Sequence, residues 1–224
     1  QGESGELAEM EQSVKQAEAV FAGAWTLGHW SVQEGNWTRF QQMTRAWYHF
    51  HLGRYEEAEL AALRALRASE DFIKVAQAGR ARGSPLGPPG FEVRMHEWVQ
   101  SDLALFQTAL NKLDEAEYHS RKALGSNLAR NRNANAELRG PLQRLGVIML
   151  NRGRFKDAEA MFREALRVLD ESGVIRAAAR SLVTQRTLAQ SLAAQGRWPE
   201  ALAAYRETHS LAGSGAAKRY GEID

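Results

Sequence analysis

Cysteine is absent from the 224 residues. That excludes disulfides, thiol catalysis and thiolate zinc sites, and it suits cytoplasm and periplasm equally. Proline is scarce, at five residues, and it stands outside the helical patterns or at a helix start. No run of about 18 apolar residues occurs, so no membrane-inserted helix is expected. A charge excess is also missing. The 29 basic and 27 acidic residues leave a formal +2, too balanced to point to nucleic acid or a membrane surface. No stretch alternates apolar and polar residues between turn signals as a strand would.

Chemical motifs are equally thin. His96-Glu97 opens the zinc signature H-E-x-x-H, but Gln100 occupies the place of the second histidine, and a metal needs both on one helical face. His49 and His51 are two residues apart, hence turned about 200° from one another on a helix. No Gly-rich phosphate loop and no dinucleotide fingerprint is present. The carboxylate pairs Glu56-Glu57 and Asp114-Glu115 stand beside turns, where they read as helix N-terminal charges rather than acid–base pairs. No catalytic constellation, metal site or cofactor site is expected. The first residue is Gln1, which a cleaved signal peptide or a trimmed start would each explain, so localisation stays open.

What is plentiful is helix-forming sequence, in a chain that is 44% hydrophobic and rich in Ala, Leu, Glu, Arg and Gln. Asn151 to Leu166 reads as a turn followed by a helix. Gly153 supplies the positive φ that ends the preceding helix, and Phe155, Ala158, Phe162 and Ala165 share one face, alternating large and small. The pattern recurs at Gly53-Arg54-Tyr55 with Ala58, at Asn111-Lys112-Leu113 with Ala116, and at Gly196-Arg197-Trp198 with Ala201. Seven residues before each turn stands a small residue, namely Ala46, Ala104, Gly146 and Ala189. Four such coincidences make an internal repeat, and repeats of this size imply stacked helical hairpins.

At these residues the chain resembles the tetratricopeptide repeat family. Leu103, Leu145 and Leu188 match the family's leucine, while Arg45 departs from it in the first unit. The family's terminal proline is absent. Turn positions 53, 111, 153 and 196 give steps of 58, 42 and 43 residues, longer than the family's roughly 34. In length the units are similar to the long repeats of kinesin light chains and of bacterial signalling proteins, and the Ala- and Arg-rich composition suits a larger bacterial protein. The resemblance implies an all-α, right-handed superhelical solenoid of stacked antiparallel helix pairs. The expected layout is a capping helix and Trp-rich segment over 1–38, four hairpins over 39–211 with a Gly/Pro-rich insertion at 79–90, and a tail or the start of a further helix over 212–224. Gly125, Gly173 and Gly213 are expected at helix ends.

In this family the first helix of each unit lines a concave groove. Carried over position by position, the groove would be lined by Phe40, Trp47 and His51 from the first unit, Asp102 from the second, Gln143, Arg144 and Asn151 from the third, and Arg186 and Gln190 from the fourth. Aromatic residues and arginine are the usual anchors of protein interfaces. The co-chaperone clamp of Lys and Asn is missing, since Met43 and Trp47 occupy its first-unit places. The basic, Asn-rich stretch holding Arg130, Arg132, Arg139 and Arg144 lacks the interleaved aromatics of a nucleic-acid site. The implied role is a non-catalytic module that binds a protein or peptide segment in the groove. The alternative is a structural or regulatory solenoid that self-associates or restrains an adjoining domain.

Overall fold

The computed structural model describes residues 8–9, 11–16, 18–20, 34–83, 88–131, 135–176 and 178–213. All regular structure among them is helical. An N-terminal helix, α1, holds residues 8–9, 11–16 and 18–20. It is followed by α2 (Glu34–His51), α3 (Tyr55–Ala81), α4 (Phe91–Ala109), α5 (Leu113–Arg130), a 3-10 turn (Ala136–Leu138), α6 (Arg139–Asn151), α7 (Phe155–Glu171), α8 (Ala179–Ala194) and α9 (Trp198–Gly213). The chain divides into two compact units, Gln1–His119 and Ser120–Asp224.

All four repeat turns are built alike. Gly53, Gly153 and Gly196 have φ of 72°, 72° and 75°, and Asn111 takes the same left-handed region at 58°. The next amide reaches back five residues in each: Arg54 N–H to His49 O at 2.9 Å, Lys112 to Gln107 at 2.9 Å, Arg154 to Met149 at 2.8 Å and Arg197 to Leu192 at 3.1 Å. These are Schellman bonds, which satisfy carbonyls that a helix end leaves without partners. Acidic residues follow in the first turn of each second helix, as the macrodipole favours.

In the first unit α2, α3 and α4 enclose a core of Met43, Ala46, Ala58, Ala62, Ala65, Val99, Leu103 and Phe106. The small residues let the helix backbones close up. Arg45, the departure from the leucine pattern, has a structural reason. Its guanidinium forms an ion pair with Glu18 of α1, so this position faces a polar helix rather than a preceding repeat. Val14 of α1 is buried, while Leu7, Met10, Ala17, Phe21, Trp25 and Trp30 lie outside the described residues.

In the second unit α6 packs on α7, α7 on α8 and α8 on α9. Gly146 of α6 sits against the Phe162 ring of α7, so close that a Cβ there would lie 2.4 Å from Cε1. Glu159 is the polar hub. It accepts hydrogen bonds from Gln195 at 2.8 Å, Arg163 at 2.9 Å and Arg197 at 2.7 Å. Burial pushes its carboxyl up, but these bonds outweigh burial and hold it below the usual carboxylate range. The basic stretch before α6 is drawn inward too: Arg130 pairs with Glu137 at 2.7 Å, and Asn135 caps the 3-10 turn through Glu137 N–H at 3.0 Å. Arg132 lies outside the described residues.

Two sequence expectations are corrected. The loop does not begin at Gly79, because α3 runs on to Ala81 with Gly79 buried. Ala76 and Gly79 still face the core there, so the stripe holds the helix together past a weak helix former. Gly125 ends no helix but lies inside α5. Gly173, with φ of 73°, does follow α7, and Gly213 is the last residue of α9.

His96 bridges α3 and α4 in the first unit. The Ser69 hydroxyl donates to Leu66 O at 2.6 Å and lies 2.7 Å from His96 Nδ1, and Gln100 Nε2 lies 2.9 Å from His96 Nε2. A single hydroxyl proton thus makes Nδ1 the donor and Nε2 the acceptor, which is a neutral ring. Burial depresses the pKa of His96 below 6.5, against the opposing pull of Glu70 and Glu97. Burial and then the nearby His96 depress His119 likewise, against Glu115, Glu59 and Glu70. The unfolded chain therefore takes up these protons first. Stability from the neutral rings is complete above the unfolded value of 6.5 and falls as pH drops below it. Denaturant midpoints should fall from pH 7.5 to pH 5.5, and less so in a His96→Gln/His119→Gln variant. Equal falls in both proteins would refute the assignment.

Candidate functional site

The first turns of α2 set up the site. Asn36 and Arg39 are three residues apart on one face, and Arg39 donates to Asn36 Oδ1 from Nε at 3.1 Å and from Nη2 at 2.9 Å. The side of α2 that carries Arg39 also carries Phe40, Met43, Trp47 and His51 at helical spacing. Facing it, α4 presents Met95, Trp98, Val99 and Asp102. Together these side chains wall an open groove of about 570 Å³.

Trp47 fixes the groove floor. Its indole N–H donates to Asp102 Oδ2 at 3.2 Å across the two helices. Its ring packs edge-on against Phe106 at 5.3 Å and stacks on His51 at 5.8 Å. Each of these contacts pins a rotamer, so Trp47 presents a fixed aromatic wall. Phe40 and Trp98 stay exposed on either side, and the Arg94 guanidinium lies 5.8 Å over the Trp98 ring.

Arg39 is the electrostatic anomaly. Only 9% of it is exposed, its guanidinium is bonded to the neutral Asn36, and burial alone pulls its pKa down. No carboxylate among the described residues pairs with it. Burying a guanidinium without a counter-charge is costly, and the group lines the groove.

The expected site residues separate into two groups. Phe40, Trp47, His51 and Asp102 come together in this groove of the first unit. The other five belong to the second unit. Gln143 is buried, with its amide oxygen taken by Thr184 at 3.3 Å and by Arg139, which leaves it little to offer a ligand. Arg144 is half-buried on α6, while Asn151 at the end of α6 and Arg186 and Gln190 on α8 are exposed. Sequence reasoning missed Arg39, since an arginine on an amphipathic helix gives no sign of facing inward. Among the described residues no helix is long and apolar enough to cross a membrane.

Comparisons with known proteins agree with this architecture. Two tetratricopeptide repeat profiles match, one over residues 42–68 and 182–207 and the other over 142–169. These spans fall on the hairpins α2/α3, α8/α9 and α6/α7. No curated protein matches the sequence. Among solved structures, the nearly identical TPR-like repeats of a Podosopora anserina kinesin light chain candidate superpose in two crystal structures with TM-scores of 0.59 and 0.57. Both are 15% identical, and each match covers 91% of this chain and 87% of that one. BtubC (BKLC) from P. vanneervenii gives 0.52 at 16% identity, covering 94% and 91%. At such identities the likeness is one of fold alone. The matched hairpins carry tetratricopeptide repeats, and the chain has the all-α fold of the kinesin light chain-like repeats.

Proposed function

We propose that this protein is a non-catalytic interaction module and that the α2/α4 groove takes a segment of a partner protein, with a carboxylate of that segment seated on Arg39. The observation that carries the reading is the buried guanidinium without a carboxylate partner among the described residues, set in a groove of exposed and fixed aromatic residues. A ligand carboxylate would accept a forked pair of charge-assisted bonds from it, while apolar side chains would cover Phe40, Met43 and Trp98. Tetratricopeptide repeats in general serve as protein-binding scaffolds, which supports the class of partner. Arg144, Asn151, Arg186 and Gln190 remain candidates for a separate contact on the second unit, and Gln143 is the weakest of the nine.

A displayed random-peptide library selected on the wild type should return an acidic residue among apolar ones. Arg39→Gln should lose those peptides by roughly 30-fold or more, the size expected when one partner of a buried charge pair is removed. Arg186→Ala should bind them unchanged. Selected peptides without an acidic position, or peptides that Arg39→Gln binds equally well, would overturn the assignment.

A further inference from the structure

We infer that the outer face of α9 is a self-association surface that takes a second copy of this chain. This surface is independent of the groove, and the repeat register exposes it. Six residues after the turn, the first three units carry Glu59, Glu117 and Glu159. Glu59 forms an ion pair with Lys112, which follows the next unit's turn, and Glu159 does the same with Arg197 at 2.7 Å. The fourth unit has Leu202 at that position. Nine residues after the turn, Ala62, Ser120 and Phe162 are fully buried, whereas the equivalent Tyr205 is 36% exposed. Trp198 and Leu202 are 67% and 49% exposed. Spaced by four and three residues, the three share one face of the last described helix.

The other units carry a glutamate on this face, whereas α9 presents Trp198, Leu202 and Tyr205 to solvent, a contiguous apolar patch of the kind that marks an interaction surface. The same face is covered by α4 on α3 and by α8 on α7, so it continues a type of interface that the fold already uses. A further hairpin of the same kind would want the glutamate for its turn cation, and Leu202 cannot supply it. A second copy wants no such glutamate, because an apolar stripe is its own complement across a two-fold axis. Antiparallel α9 helices crossing at Leu202 would bring the exposed Arg206, one turn away, beside Trp198 of the partner subunit, a favourable cation–π placement. The 16 residues of α9 span about 24 Å. Two such faces bury on the order of 1,000 Å², the lower end for a specific interface, so the dimer is weak and concentration-dependent.

Sedimentation velocity of the whole chain from micromolar to several hundred micromolar is the test. The wild type should move from the monomer's mass toward twice that mass. Leu202→Glu restores the residue that the other units carry, so it should keep its helical circular dichroism and melting temperature while association weakens roughly tenfold or more. Arg39→Gln should dimerise like the wild type, which separates this outcome from any failure of the groove. A wild type that stays monomeric throughout, one that grows past the dimer, or a dimer that persists in Leu202→Glu would each overturn the inference.

Discussion

Phe162→Ala is expected to cost the second unit about 3–5 kcal/mol, the range for emptying a buried aromatic site. The ring is fully buried and lies on Gly146 in the neighbouring helix. Gly146→Ala should also destabilise, through the opposite fault. Its new methyl would meet three ring atoms at 2.4–2.8 Å, and such overpacking costs about 1–3 kcal/mol. The better helix propensity of alanine returns up to about 1 kcal/mol of that. The informative variant is the double. In the first hairpin the same two positions hold Ala46 and Ala62, both fully buried, so Gly146→Ala/Phe162→Ala reproduces a pairing that the fold already uses. The methyl then occupies part of the space the ring has left, and the double variant should be less destabilised than the sum of the singles. Denaturant midpoints of the four proteins measure this coupling. Strict additivity would mean that Gly146 and Phe162 do not share one packing site.

That pairing also marks what the sequence made legible. The glycine at 146 and the phenylalanine at 162 could be placed together because hairpin register is fixed by the turn, and the turn announces itself by a residue that tolerates positive φ. Asn111 works as well as glycine there because its short polar side chain tolerates the left-handed region. Periodicity then says which residues face inward as a set, but not what each meets. Arg45 and Arg39 both sit on α2 and look alike in sequence. One is satisfied by Glu18, far back in the chain, and the other by a neighbouring amide alone. The pairing with Glu18 does not follow from spacing, and spacing gives no sign that Asn36 is the only partner of Arg39 among the described residues. Gly79 and Gly125 misled for a related reason: a glycine inside a helix costs about 1 kcal/mol against alanine, which tertiary burial of the surrounding stripe readily exceeds. The groove residues of the first unit could be gathered by family register, whereas Gln143 could not be recognised as buried. Its inward bond to Thr184 depends on how α8 lies on α6.

The second large effect is expected at the two ends of the Gly/Pro-rich loop. Arg80 stands in the last turn of α3 and Glu92 in the first turn of α4. The guanidinium forks onto the carboxylate, with Nη1 at 3.3 Å from Oε2 and Nη2 on Oε1. The two partners are buried very unequally, because Glu92 is 2% exposed and the Arg80 side chain 30%. Removing either one should therefore have unequal consequences. Arg80→Met leaves a carboxylate sealed in the protein without its cation, and breaking a buried pair in that direction costs about 3–5 kcal/mol. Glu92→Gln leaves a guanidinium that can still turn toward water, and it keeps an acceptor for one bond, so about 1–2 kcal/mol is expected. Replacing both by apolar residues, as in Arg80→Met/Glu92→Met, removes the uncompensated charge and should recover much of the loss from Arg80→Met alone. Chemical denaturation at pH 7 of the three variants against the wild type orders these costs. If Glu92→Gln proved as damaging as Arg80→Met, the pair would act as a geometric clasp on the loop ends, and unequal desolvation of the two partners would not set the order.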